Sequence, residues 1–297
     1  MTRGYVPLLV ILAAIWGSSY LFIKVAVRQL EPAPMIELRL VLAVAILVGY
    51  LVHSLGFRRA LGELRAASRV GIVLGTVNAA IPFMLIAWGE KHVDSGVAAI
   101  ANATVPIFVV LLALHYRPSE SVRGLRLVGI ALGFLGVAVL TGIDPRGGWS
   151  AVAGTLAVIV ASVSYAAGNL YAQSHVSETT TGPVLAAASM TGALILLLPL
   201  GIVQAPDHLP GWKALGSVAA LGILGTAVAQ LFFYRLLRLF GAARASLVAF
   251  LLPGTALFYG VVLLGEPLTI PAVAGLGLIL AGVAIGSGRL RGRPRAA

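Results

Sequence analysis

Few residues in this chain of 297 can do chemistry, and most of those lie inside long apolar runs. Asn78 and Asn102 each stand four residues before a proline, Pro82 and Pro106, while Pro253 follows Ala249 by four. A proline within a helix brings no backbone donor and leaves the carbonyl four residues back without its partner. In hydrocarbon that carbonyl must face protein or a cavity, and an amide side chain beside it can both donate and accept. Pro82, Pro106 and Pro253 therefore read as helix kinks, with Asn78 and Asn102 bordering a solute cavity. Tyr165, Asn169 and Gln173 recur at intervals of four, as do Gln230 and Tyr234, so each set shares one helix face. Trp16, near Ser18 and Ser19, and Trp88 supply aromatic surface. The candidate substrate cavity is thus Trp16, Asn78, Trp88, Asn102, Tyr165, Asn169, Gln230 and Tyr234. Such a lining suits an amphipathic organic solute, whereas a bare ion needs a denser ring of oxygens. The same amides and hydroxyls also glue membrane helices together, and a packed kink needs no ligand, so both readings stand at this stage.

Three charges fall within apolar runs: Lys24, Glu37 and Arg39. Lys24 precedes the Glu31-Pro-Ala-Pro34 turn and Glu37 follows it, which puts both roughly 6–8 Å below the helix ends at the usual rise. On antiparallel neighbours they make a candidate ion pair or, with Arg39, a polar entrance or protonation-linked gate. Snorkelling toward headgroups with structural pairing is the competing reading. Glu90 and Asp94 sit close to a turn, where solvation is expected. Glu266, after Gly265, is placed to cap the helix that starts near residue 270, whose N-terminus favours an anion.

Much chemistry is missing. With no cysteine there is no disulfide, thiolate nucleophile or cysteine metal site. The five histidines fall in or near turns without a His-x-x-x-His pair, so no metal is expected. Phosphate-loop, dinucleotide and hydroxyl–histidine–carboxylate signatures are absent, and neither an enzyme nor a cofactor is implied. A duplicated membrane scaffold or a membrane-embedded enzyme is the other functional class, and an enzyme would require catalytic side chains converging at one interface. The net charge of +11 comes from residues flanking the apolar runs, which fits lipid headgroups rather than nucleic acid.

The elements that must position these residues are membrane helices. The chain is 59% hydrophobic and 10% charged, against about 25% charged in a soluble domain, too little to wet the outside of a globule. Runs long enough to cross hydrocarbon fall at 6–27, 32–52, 68–89, 95–115, 123–143, 150–173, 183–203, 214–237, 243–264 and 270–288. The first is read as a retained span, because no small-residue cleavage site follows it. Ten spans put both termini on one side. Fifteen of the 21 Lys and Arg then lie on that side and four on the other, with Lys24 and Arg39 inside spans. The positive-inside rule places both termini in the cytoplasm of a multi-pass cell-membrane protein.

The order of glycines and prolines from Gly71 to Gly142 returns from Gly222, and Leu135-Gly-Val-Ala-Val-Leu-Thr-Gly142 is echoed by Ala281-Gly-Val-Ala-Ile-Gly-Ser-Gly288. The chain is read as two halves, 1–144 and 145–297, the second ending in a short basic tail. Five spans per half is an odd number, so the halves enter the membrane from opposite faces. Inverted repeats of this kind let one fold open to either side by exchanging the roles of its halves. Gly129-x-x-x-Gly133 and Gly282-x-x-x-Gly286 permit close helix approach within the chain or across a homodimer, and monomer or homodimer stays open.

Taken together, the pattern resembles the EamA family of the drug/metabolite transporter superfamily across nearly the whole chain. The resemblance is carried by Trp16-Gly-Ser-Ser-Tyr-Leu-Phe-Ile-Lys24, Pro34 through Arg39, Gly75-Thr76, Ser95–Pro106 and Leu127–Gly142 in the first copy. In the second it is carried by Ser164-Tyr-Ala166, Gly225-Thr226, Gly241–Pro253, Leu264-Gly-Glu-Pro267 and Gly275–Gly288. It implies ten helices, cytoplasmic termini and alternating-access movement, commonly export, of small organic solutes such as amino acids, coupled to protons or to solute exchange. The first copy departs from the pattern: His115-Tyr-Arg117-Pro118 stands where the second has Leu-Gly-Glu266-Pro267, and Glu120 is displaced. A symmetric gating role for two such glutamates is not expected.

Overall fold

The structure, a computed structural model, describes residues 4–116, 125–141, 148–175, 181–240 and 247–286. Every regular element among them is a helix, as a chain with so few polar side chains requires: in hydrocarbon only a helix or a closed barrel satisfies its own backbone. The first half holds α1 (Tyr5–Ala26), α2 (Pro32–Leu55), α3 (Phe57–Ala66), α4 (Ser68–Gly75), α5 (Ile81–Glu90), α6 (Ser95–Asn102), α7 (Val105–Tyr116) and α8 (Leu125–Thr141). The second holds α9 (Gly148–His175), α10 (Gly182–Val203), α11 (Trp212–Ala220), α12 (Ala229–Phe240), α13 (Val248–Leu264) and α14 (Ile270–Gly286). Wide π-helical turns, Thr76–Ala80 and Leu221–Val228, join α4 to α5 and α11 to α12.

Seven stretches among the described residues are long and apolar enough to cross a membrane, and Leu127–Leu140, Val248–Leu264 and Ile270–Ile285 are shorter apolar helices. Side chains such as Ile195, Ile202, Phe258 and Val262 are exposed, as a lipid-facing surface requires. One feature departs from the sequence reading. The polar connection after His53 contains α3, an amphipathic helix with Ala60 buried and Phe57 exposed. The turn at Arg117–Arg126 lies largely outside the described residues, as do the Gly241 turn and the tail.

The prolines behave differently from one another. Pro106 breaks its helix, α6 ending at Asn102 and α7 starting at Val105. Pro82 is the second residue of α5, directly after the first π turn. Pro253 sits within a continuous α13, so the kink expected there does not interrupt the helix. The second half widens at Leu221–Val228 without any proline, and the Thr226 hydroxyl donates to Leu221 O at 2.9 Å.

Glycine sets the closest approaches. On α14 a Cβ at Gly282 would press on Gly129 O and Gly133 N of α8, and a Cβ at Gly136 would press on Gly275 O. The two glycine runs thus face each other within one chain. The α4–π segment lies against α10 in the same way, and the second π segment against α2 through Gly222. The pairs of packed elements form a matched set: α4 with α10 answers the second π turn with α2, and α5 with α9 answers α12 with α1.

Candidate functional site

A polar cluster ties both halves together deep in the bundle. Asn102 Nδ2, at the end of α6, donates to Tyr20 Oη of α1 at 2.8 Å. Ser162 Oγ of α9 lies 3.2 Å from Asn102 Oδ1 and is fully buried. Arg39 of α2 is 95% buried, being only 5% exposed; its Nε donates to Thr226 Oγ1 at 2.8 Å and its guanidinium lies 3.8 Å over the Phe83 ring. Tyr165, three residues after Ser162 on α9, is partly buried and packs against the same core. Helices 1, 2 and 6 of the chain's fold, the π turn at Thr226 and α9 therefore contribute to one locus.

The proline at residue 82 shapes a second part of it. In a π turn the donor reaches five residues back, as Ile81 N does to Thr76 O. The donor missing at Pro82 therefore leaves Val77 O orphaned, not the Asn78 carbonyl that α-helical spacing indicates. The hydroxyl of Ser164 on α9 donates to Val77 O at 2.7 Å and repairs the gap. The Asn78 side chain packs against Gly168, and its buried Oδ1 accepts no hydrogen bond.

Other candidates sit elsewhere. Trp16 tilts against Phe233 at 5.5 Å, and Tyr234 lies beside Phe233 and against Gly182, with Gln230 half-buried on the same helix, α12. Trp88 is 39% exposed and stacks on His92, and Asn169 is on the exposed face of α9. The sequence singled out neither Ser162 nor Thr226 as a site residue, although Thr226 belongs to the Gly-Thr pair that recurs in both halves. Tyr20 stood in the first quoted motif without a role.

At one end of the bundle the turns are held together by polar contacts, and here three expectations are corrected. Lys24 does not pair with Glu37; its Nζ donates to the backbone carbonyls of Glu90 (2.8 Å) and Val93 (2.6 Å), capping the end of α5. Glu37 is instead packed against Gly201 of α10, with its Oε1 buried and unpartnered. Glu90 is not solvated but wholly buried, because α5 continues to it and Lys24 closes over its carbonyl. Glu266 caps α6 rather than α14: it accepts from Ser95 N (2.8 Å), Ser95 Oγ (2.8 Å) and Gly96 N (3.2 Å). Gly265, at φ +70°, makes this possible by turning the chain so that Glu266 N donates to Gly260 O. An exposed Lys91–Glu31 ion pair at 2.7 Å and the Gly211 N–H donated to Gln29 Oε1 at 2.7 Å complete the end.

Asp94 lies in this end, outside the spans. Burial pushes its carboxyl up, Glu266 adds to the effect and Lys24 opposes it. A carboxyl raised in the fold gives stability that is complete below its unfolded value near 3.8 and is lost as pH rises through the folded value. Asp94→Asn should therefore raise the thermal midpoint of the purified protein at neutral pH, with the gain vanishing in acid. An equal shift at both pH values would contradict this.

The arrangement defines a class before it defines a family: a helical, multi-pass membrane protein with buried polar groups bridging two similarly built halves. The chain matches the model of the EamA-like transporter family twice, over residues 4–142 and 152–287, and it belongs to that family. It is 30% identical over 272 residues to an uncharacterised transporter of Archaeoglobus fulgidus, covering 91% of this chain and 94% of that one. It is also 29% identical over 297 residues to a probable terminal-alkyne amino-acid exporter of Streptantibioticus cattleyicolor, covering 97% and 95%. A solved crystal structure superposes with a TM-score of 0.65 at 18% identity, covering 97% of this chain and 99% of that one, which speaks to the fold alone.

Proposed function

We propose that this protein moves small organic metabolites, amino-acid-like or amphipathic, across the cytoplasmic membrane by alternating access, in the direction of export. The observation that carries this reading is the bridging of both halves at the Tyr20–Asn102–Ser162 and Arg39–Thr226 contacts, deep in the bundle, while one end is drawn together. The matched packing pairs, together with seven spanning stretches and three shorter apolar helices that fall five and five on either side of 144/145, support two inverted repeats of ten helices in all. The distribution of Lys and Arg supports cytoplasmic termini and makes the closed end external. Substrate lies against Asn102, Asn78 and Tyr165, and the Trp16–Gln230–Tyr234 face forms its path toward the other end. A proton gradient or solute exchange drives the cycle, and no cofactor takes part. The relative named for exporting an amino acid fits a solute of this class.

Reconstituted vesicles screened with labelled amino acids, nucleosides and amphipathic amines test this. Asn102→Ala removes a hydrogen-bonding group worth about 1 kcal/mol, so flux of the solute found should fall by roughly fivefold or more, and Gln230→Ala should weaken it as well. Unchanged affinity and flux in both variants would overturn the site assignment.

A further inference from the structure

We propose that Glu90 is a proton-binding site, filled while the external end is closed and emptied when that end opens. The proposal rests on the alternating-access reading above. Glu90 is the last residue of α5, is 0% exposed, and neither carboxyl oxygen has a hydrogen-bond partner. None of the donors nearby reaches it. Lys24 Nζ goes to the main-chain carbonyls of Glu90 itself and of Val93, Arg39 Nε goes to Thr226, and the Ser95 and Gly96 amides go to Glu266. An ionised carboxylate without a single donor in such surroundings costs several kcal/mol, and a bound proton removes that cost.

The charged and titratable groups that face Glu90 come from several elements. Lys24 and Tyr20 act from α1, Arg39 from α2, and Glu266 from the turn after α13. Lys91, His92 and Asp94 follow in its own turn, and α9 brings Tyr165 against the same core. Glu37, the other buried carboxyl with an unpartnered oxygen, lies against Gly201 of α10 and makes none of the hydrogen bonds that draw the turns together.

Geometry links the proton to the closure. Lys24 closes the turn that follows the carboxyl by holding the Glu90 and Val93 carbonyls, and Glu266 holds the start of α6 immediately beyond. Releasing those contacts admits water to Glu90, which then ionises. Linkage is reciprocal, so if closing the end holds the proton, the proton holds the end closed. One proton is taken up on each closure and given back, as H⁺ to external water, on each opening.

The chain has no cysteine, so single thiols report on opening without background. Val93→Cys, at a position 7% exposed, is reacted with a membrane-impermeant maleimide in sealed vesicles, and its rate is divided by that of Leu209→Cys, at a position 91% exposed. The ratio should rise with external pH, by up to about tenfold per pH unit below the midpoint of the carboxyl. It should stay low and flat with Glu90→Gln, keep its slope with Glu37→Gln, and keep a slope with a moved midpoint in Glu90→Asp. A flat ratio in the parent protein, or a slope that survives Glu90→Gln, would overturn the proposal. Should Glu90→Gln fail to fold, loss of the slope in Glu90→Asp would overturn it equally. Vesicles that move no solute would remove the transport reading without changing this ratio, whereas a flat ratio alongside intact flux would remove only the proton site.

Discussion

Gly282→Leu will leave almost no folded protein to purify. A Cβ at this position meets the Gly129 carbonyl oxygen and the Gly133 amide nitrogen of α8, which are backbone atoms and cannot swing aside as a side chain would. Overpacking a tight contact ordinarily costs about 1–3 kcal/mol, and here the helices themselves must separate, so the upper end or beyond applies. Against a total stability of about 5–15 kcal/mol that is a large fraction. The comparison is Gly277→Leu, three residues before Leu280 on the same helix, where a Cβ meets nothing within 4 Å. Size-exclusion profiles and thermal midpoints of the two variants in one detergent decide the matter. If Gly282→Leu matched Gly277→Leu, the close α8–α14 packing would be wrong.

Glu266→Ala will loosen the end of the bundle that these turns draw together. The carboxylate accepts from two backbone amides and one hydroxyl at the start of α6, and hydrogen bonds to a charged group contribute about 1.5–3 kcal/mol. Loss of about 2 kcal/mol shifts an open–closed balance by roughly thirtyfold, since 1.4 kcal/mol is a factor of ten. Hydrogen exchange of the amides from Ser95 to Ala98 should accelerate by at least tenfold, with Glu266→Gln falling between. Protection equal to that of the parent protein would show that the cap does not hold the two halves together.

Most of the fold was legible because hydrophobic length is a direct consequence of bilayer thickness. The spans read at 32–52, 95–115 and 183–203 differ from the helical stretches by at most a few residues. What periodicity could not carry was the change of helical register. A π turn moves the orphaned carbonyl from Asn78 to Val77, so the repairing group, Ser164, lies on a different face from the one α-helical spacing indicates. Partners across the chain were equally hidden. Glu266 precedes α14 in sequence and was read as its cap, yet a left-handed glycine at 265 turns it onto Ser95, 171 residues away. Glu90 was read as wet because it stands near a turn; Lys24, supplied by α1, is what closes over it. Of the candidate residues, Asn102 gained defined partners in Tyr20 and Ser162, whereas Trp88 and Asn169 lie on exposed surface. Spacing told which residues share a helix face but not which way that face turns.

The central claim is that one buried polar locus is reached from each side of the membrane in turn. Ser162→Cys places a thiol there in place of a fully buried hydroxyl that touches Asn102, in a chain without other cysteines. Impermeant thiol reagents of two kinds are added, one inside and one outside oriented vesicles, with and without the transported solute. The account predicts labelling from either side, with a gain on one side matched by a loss on the other as conditions shift the balance. Labelling from one side only under every condition, or from neither, would contradict it.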